Sequence, residues 1–485
     1  MPYSFEKVYQ LKQQTPLLHF QHDQAGATLR ATEVKPKLDR YLLKLLCKRE
    51  PQLSQATLYE QLRKKGWMAQ KTEALRYQMQ IFAEGKCRKS NTIQLDAEAK
   101  EMAAQERNGS VGRARKQLLK ENPERYTKIN AMYFGNMVNE RQSVASFQAE
   151  IVERYKETVW YSSITLQIRC FIPDLLQLID EQIKAFFVLH NFGCRQSKGF
   201  GGFLIDGTTP REIRESLSAD GEPYLCARLP DRGIDSAMNH AMTLYAVMKS
   251  GLNLTKQDHE GETEANARYI KGYALRDFLT ESTGSDKAYM KSSILFVPEN
   301  RRTREKNHGC YPSYVFIRAL LGLADHYEFR FKECRQQTVH VLQYDSARIE
   351  NGTLKIDLED IKNNRGIHRL QSPLLIKVYM DRVYFIMTPG YQEALGKIFL
   401  LLNEQEYKKI DALRSERTPD YTEIQNTLQS AHYLAAPTDF DAAGFLRGFK
   451  DYFDKKKQRL ANFGRYSVYY PSKDVTWEEV GESDE

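Results

Sequence analysis

The chain has 485 residues, of which 41% are hydrophobic and 11% aromatic, enough for packed cores in two to four domains of roughly 100–200 residues each. Charged residues make up 28%, and no apolar run approaches the ~20 residues a membrane-spanning helix needs. The opening MPYSFEKVYQ lacks the basic-then-apolar pattern of a signal peptide, so a cytoplasmic protein is expected. Seven cysteines stand singly, with no Cys-x-x-Cys pair; this disfavours a disulfide framework and a cysteine zinc site.

Lys+Arg 71 against Asp+Glu 63 gives a net charge of +8. Residues 1–130 hold about 25 basic and about 14 acidic side chains, so the front of the chain exceeds the total and the rest is slightly acidic. A polyanion would sit most favourably on that front section; a solvated helical surface explains the same counts.

Phe5–Leu11 is β-prone and runs into Thr15-Pro16, and Leu17, Leu18 and Phe20 extend it. Leu38, Tyr41, Leu42 and Leu45 then recur at helical spacing. Pro36 suits the first turn of such a helix, which would gather Lys35, Lys37 and Arg40 near its start. Residues 47–128 read as an inserted helical region, with Ser54 capping a helix that carries Leu58 and Leu62. Within it, 96–121 are too polar to carry a core and are expected on the surface.

The clearest unit is 163–205. Ile164, Leu166, Ile168 and Cys170 alternate with polar residues, as in a half-buried strand. Pro173 opens a helix with Leu175, Ile179, Ile183 and Phe186 on one stripe. A glycine-rich segment follows, then the strand Phe203–Ile205. This order is the second half of a ferredoxin-like unit or a fragment of a βαβ fold. Residues 206–300 show few apolar stripes and read as irregular. Beyond them, 314–321 read as a helix. Asn351-Gly352 signals a hairpin, and Leu374–Val378 with Val383–Met387 reads as a second one. Gly390–Leu402 reads as helical, and a last helix carries Phe445, Phe449 and Phe453.

The glycine-rich segment is the strongest chemical signal. Gly193, Gly199, Gly201 and Gly202 let backbone approach a ligand; Arg195 and Lys198 supply charge, Ser197 a hydroxyl and Gln196 an amide. A P-loop or a dinucleotide loop would open a helix, whereas here a strand follows. Either a phosphate-backbone contact or a glycine-rich turn required by sterics fits these residues.

At this loop the chain resembles the RAMP superfamily of CRISPR-associated RNA-binding proteins, whose glycine-rich signature follows a strand and an amphipathic helix as Gly193–Phe203 does here. It is most similar to the first subunit of the type III-B (Cmr) effector complex. Three further segments match in order: Thr15-Pro16 with the basic helix Leu29–Leu46, Ala131-Met132-Tyr133-Phe134-Gly135-Asn136, and Ser372-Pro373 leading a strand. The branch more often carries a run of arginines where Gln196-Ser197-Lys198 stands.

The resemblance implies an α+β chain of tandem ferredoxin-like (RRM-like) domains with helical insertions. The first, RNA-binding domain would be 1–46 plus 129–205, interrupted by the basic insertion 47–128. Residues 206–300 would link it to a second domain at 301–415, and 416–485 would be a helical segment with an acidic tail. It implies contact with CRISPR RNA and/or target RNA and with other RAMP subunits, no cofactor, no metal and no membrane. The RNA-binding residues would be Lys35, Lys37, Arg40, Gly193, Arg195, Gln196, Ser197, Lys198, Gly199, Phe200, Gly201 and Gly202. Tyr3, Tyr9, Phe20 and Phe200 offer stacking surfaces, with core packing the better reading of Tyr9 and Phe20.

Two function classes follow. One is a non-catalytic RNA-binding subunit. The alternative is an endoribonuclease that processes CRISPR RNA or cuts target RNA. His19, His22 and Asp23 cluster after the first strand, and His22 with Asp23 could serve acid–base or metal-assisted cleavage; a polar loop without chemistry is the preferred reading. His190, at a helix end, reads as a capping or packing residue. The run Arg301, Arg302, Arg304, Lys306, His308 reads as a solvated loop.

Overall fold

The computed structural model describes residues 5–18, 29–85, 87–90, 92–105, 109–122, 125–126, 157–229, 233–249, 251–254, 268–270, 272–275, 278, 283–295, 313–329, 337–366, 370–416, 418–461 and 475–478. Tyr3, His19, Phe20, His22, Asp23, the Phe134-Gly135 element and the basic run 301–308 lie outside them.

The first domain is built from β1 (Glu6–Gln13), α1 (Ala31–Arg49), β2 (Gln78–Glu84), β3 (Ser163–Arg169), α2 (Pro173–Leu189) and β4 (Phe203–Ile205). The strands lie in the order β2-β3-β1-β4, every pair antiparallel. That is a complete ferredoxin-like βαββαβ sheet. Alternation places Ile164, Leu166 and Ile168 of β3 inward, against Leu38 and Leu42 of α1 and Ile179, Ile183 and Phe186 of α2. At about 25 cal/mol per Å² of buried apolar surface, each such side chain contributes roughly 1.5–3 kcal/mol.

Two expectations are corrected here. Residues 47–128 are not purely a helical insertion, because β2 falls inside them and pairs with β3 along its whole length. Pro36 lies inside α1 rather than in its first turn, since the helix starts at Ala31. Ser54 does cap the next helix, accepting from the Thr57 N–H. The two polar helices Thr92–Gln105 and Val111–Glu121 pack on each other through Ala99, Ala103 and Ala114.

The second ferredoxin-like unit is spread along the chain. It consists of β5 (Tyr224–Arg228), α4 (Ile234–Lys249), β6 (Leu374–Tyr379), β7 (Arg382–Met387), α5 (Ala442–Ala461) and β8 (Thr476–Glu478). The helix α3 (Pro210–Asp220) leads into it from β4. Its order, β6-β7-β5-β8, repeats the antiparallel pattern of the first sheet. The expected second domain at 301–415 is therefore redrawn: the unit begins inside 206–300 and ends inside 416–485. A further antiparallel sheet of His326–Phe329, Gln337–Gln343, Ile398–Asn403 and His432–Ala435 interrupts it. Ile398–Asn403, expected to be helical, is a strand of that sheet; a continuous apolar run fits either state by pattern alone.

Within 206–300, β5 and α4 lack a period because they are buried on both sides. In β5, Leu225 and Ala227 face the main core of the second unit. Tyr224 and Cys226 face a separate cluster with Val188, Leu204, Ile213 and Leu217. Helix α4 buries Ala237, Met238, Asn239, His240, Ala241 and Met242 consecutively. Neither element keeps the polar face that creates a period.

Candidate functional site

The glycine-rich loop, Asn191–Gly202, is the joint between the two ferredoxin-like units. Its backbone is left-handed at Gly193, Arg195, Gly199 and Gly201, around one 3₁₀ turn at Gln196–Lys198. At Gly201 a Cβ would lie 1.7 Å from the Phe192 carbonyl oxygen, so no other residue fits there. The sequence suggested a cradle of N–H groups open to a ligand. Most of those groups donate to the protein instead. The Gly193 N–H meets Glu33 Oε1 at 2.6 Å, and the Gly202 N–H meets Thr15 Oγ1 at 2.7 Å. Those of Cys194 and Gly201 donate to the carbonyls of Leu18 and Pro16, and that of Gly199 to Gln196.

The loop is also built into the second unit. Cys194 and Phe200 belong to its main core, with Phe200 1% exposed. Phe200 is thus removed from the candidate stacking surfaces. Gly199 lies against Ile376, Val378 and Met238. The Asn191 amide donates to the Gln196 carbonyl and, at 2.9 Å, to that of Ile376 in β6.

The candidate cations divide. Lys37 reaches the loop, donating to the Asn191 carbonyl at 2.9 Å and to Gln196 Oε1 at 2.6 Å, with Glu33 at 3.7 Å. Lys35 turns away to Asp39, the Leu75 carbonyl and the Tyr77 ring. Arg40 is exposed and donates to the Pro36 carbonyl one turn back. Because α1 begins at Ala31, none of the three stands in the helix's first turn. Tyr9 is part-buried and donates to Asp180, a structural contact.

Lys198 is half-buried, its Nζ 3.1 Å from the centroid of the Tyr245 ring on α4. Burial, with Lys249 and Arg195 nearby, holds its amine well below the ordinary lysine range. Among the described residues Lys198 has no carboxylate partner. Lys249 itself donates to the Leu321 and Gly322 carbonyls, and burial lowers it to about 8.

Lys377 was not anticipated. It is 1% exposed in β6 and donates to the carbonyls of Phe187 at 2.6 Å and His190 at 2.9 Å, so it caps the C-terminal end of α2 from the other unit. Burial lowers it to about 7. The available signal was a lone lysine in an otherwise apolar strand. His190 donates to the Phe186 carbonyl through Nδ1, 2.9 Å away, and packs on the Tyr41 and Phe186 rings. Burial pushes it down to about 4, so the ring is neutral.

Above this joint opens a cleft of ≈ 240 Å³. The first unit contributes His190, Asn191, Gln196 and Ser197 to its lining, and the second Gln371, Ser372, Pro373, Thr388 and Glu393. Thr15-Pro16 meets the glycine loop at Gly201 and Gly202, and Ser372-Pro373 shares the cleft with Gln196 and Ser197, so both segments, far apart in sequence, touch the same loop.

Two ferredoxin-like units joined through a glycine-rich loop after the second helix of the first are the architecture of a RAMP protein. Residues 5–252 match the Cmr1 N-terminal domain and residues 269–468 the Cmr1 C-terminal domain. The chain belongs to the Cmr1 family, and so is a subunit of a type III CRISPR effector complex. No curated protein sequence matches it significantly. Among the described residues, no helix is long and apolar enough to cross a membrane.

Proposed function

We propose that this chain is a non-catalytic RNA-binding subunit of its effector, holding CRISPR RNA and/or target RNA through the sugar–phosphate backbone at the joint between its two units, next to other RAMP subunits. The observation that carries the reading is the crowding of cations at that joint. Burial first, and then the charges of Lys249 and Arg195, hold the Lys198 amine, which lies on the Tyr245 ring, well below the ordinary lysine range. A phosphate placed there relieves that repulsion and gains charge-assisted hydrogen bonds. On the exposed flank of α1 Arg40 adds a further cation, whereas Lys44 and Lys48 pair with Glu222 and Asp220.

The test is the affinity of the purified chain for single-stranded RNA across a salt series. With about four phosphates contacted, log affinity falls against log salt with a slope near −3. A slope near zero, or no binding at low salt, refutes the reading.

A further inference from the structure

The cleft above the joint differs chemically from a phosphate site. Asn191, Gln196 and Ser197 on one wall and Gln371, Ser372 and Thr388 on the other are all neutral. Among the described residues, no lysine or arginine lines it, and Glu393 does. A phosphate entering here would meet a carboxylate without a lining countercharge. The remaining walls, Leu189, Pro373 and Leu375, are apolar.

The Asn191 amide is engaged with the Gln196 and Ile376 carbonyls, and the Gln196 amide with Lys37 and the Gly193 carbonyl. Ser197 and Gln371 place a hydroxyl and an amide beside the apolar walls, which suits a planar heteroaromatic ring with donors and acceptors on its rim. His190 adds to the set. With its Nδ1 proton donated to the Phe186 carbonyl, its Nε2 is an acceptor. The volume, ≈ 240 Å³, falls just below the ~300–1,000 Å³ of sites for drug-sized ligands, the scale of one nucleoside.

We propose that the cleft is a pocket for a single nucleobase, read by neutral side chains from both units. The base would come from RNA lying across the joint, unstacked as it enters, or from a free nucleoside. In its RNA form the proposal rests on the RNA-binding reading. It adds a site at which the identity of one base matters, beside a backbone path at which it does not.

The test compares wild-type affinity for a single-stranded RNA with that for the same backbone made abasic, and separately follows the thermal midpoint with adenosine, guanosine, cytidine and uridine. Two variants change the cleft. At Gly390 a Cβ meets only Pro373, at 3.7 Å, and Thr388 Oγ1, at 3.8 Å, which is ordinary contact, so Gly390→Leu fills volume without backbone strain. Gln371→Ala removes one amide.

The wild type should bind the intact RNA about tenfold more tightly than the abasic one, the worth of one or two net hydrogen bonds. Both variants should bring that ratio close to one and leave abasic affinity unchanged. Equal wild-type affinity for the two RNAs, or a ratio that neither variant moves, overturns the proposal. A nucleoside-dependent midpoint rise that Gly390→Leu abolishes identifies the free nucleoside as a ligand; an intact RNA ratio without such a rise identifies RNA as the source. If neither RNA binds, the RNA-binding reading fails. The pocket then stands on the nucleosides alone, and their silence overturns it too.

Discussion

Replacing Lys377 by Met tests whether the joint is held by a buried amine. Methionine keeps an unbranched chain of similar length and removes every donor. The carbonyls of Phe187 and His190, which now accept at 2.6 and 2.9 Å, would each be left unpaired, at about 1–3 kcal/mol apiece. Against this stands the cost of desolvating the ammonium, which lowers the amine from 10.5 to about 7. At about 1.4 kcal/mol per pH unit that gap bounds the cost at about 5 kcal/mol. The carbonyl dipoles at the end of α2 favour the charged form and reduce it.

The sign follows from proton counting. The unfolded amine holds its proton up to about 10.5, and the folded one gives it up near 7. Between those values the unfolded state binds more protons, so stability rises with pH and is lost as pH falls through about 7. The neutral amine still has two N–H donors for the two nearest carbonyls, with that of Phe203 farther off at 3.5 Å. Urea unfolding of wild type and Lys377→Met at several pH values reads the difference directly. The wild type's advantage should grow by about 2–3 kcal/mol between pH 7 and pH 9. A difference that stays flat over that range, or a variant as stable as wild type at pH 9, would refute the reasoning.

Changing Arg195 and Lys198 together to Ala should weaken RNA binding by about 2–4 kcal/mol, from two charge-assisted contacts. It should also lower the thermal midpoint, because the Lys198–Tyr245 contact contributes about 0.5–2 kcal/mol; unchanged RNA affinity removes these residues from the interface. Gly199→Val should destabilise by at least about 1–3 kcal/mol, since its φ of 86° strains a β-branched residue and its Cβ would press on Ile376 at 3.3 Å; a wild-type midpoint would show that the loop tolerates side chains there. His22→Ala and Asp23→Ala should leave RNA handling unchanged, and loss of cleavage with binding retained in either would establish the nuclease alternative.

The first unit was legible where one face of an element met solvent. β3 and α2 show clean periods because each buries one side. The hairpin at Asn351-Gly352 was legible for a different reason, a left-handed turn that only a few residues accept. β5 and α4 were missed because both sides of each are covered. The helix α3 was missed although its signals were present. Thr209 and Glu212 form a reciprocal capping box, Pro210 follows the cap, and Gly221 closes the helix. At the joint, sequence located the loop and the charges but not their partners. Nothing local announces that Lys377 reaches the end of α2, or that Lys198 lies on Tyr245. Those pairings exist only once two sheets have been docked, and Asn191 gains its bond to the Ile376 carbonyl from the same event.

β8 closes the second sheet against β5, and Glu478 meets Cys226 across a separation of 252 residues. At the ~5–20 residues per second of protein synthesis, β5 waits roughly 10–50 s for that neighbour. The first unit, whose strands all lie before residue 206, is finished long before. During the wait β5 offers an apolar strand edge to any other nascent chain. Yield in the cell therefore depends on how that interval is bridged, by a chaperone or by a neighbouring subunit. Slowing translation after residue 228 should raise aggregation even though it alters no residue of the native fold.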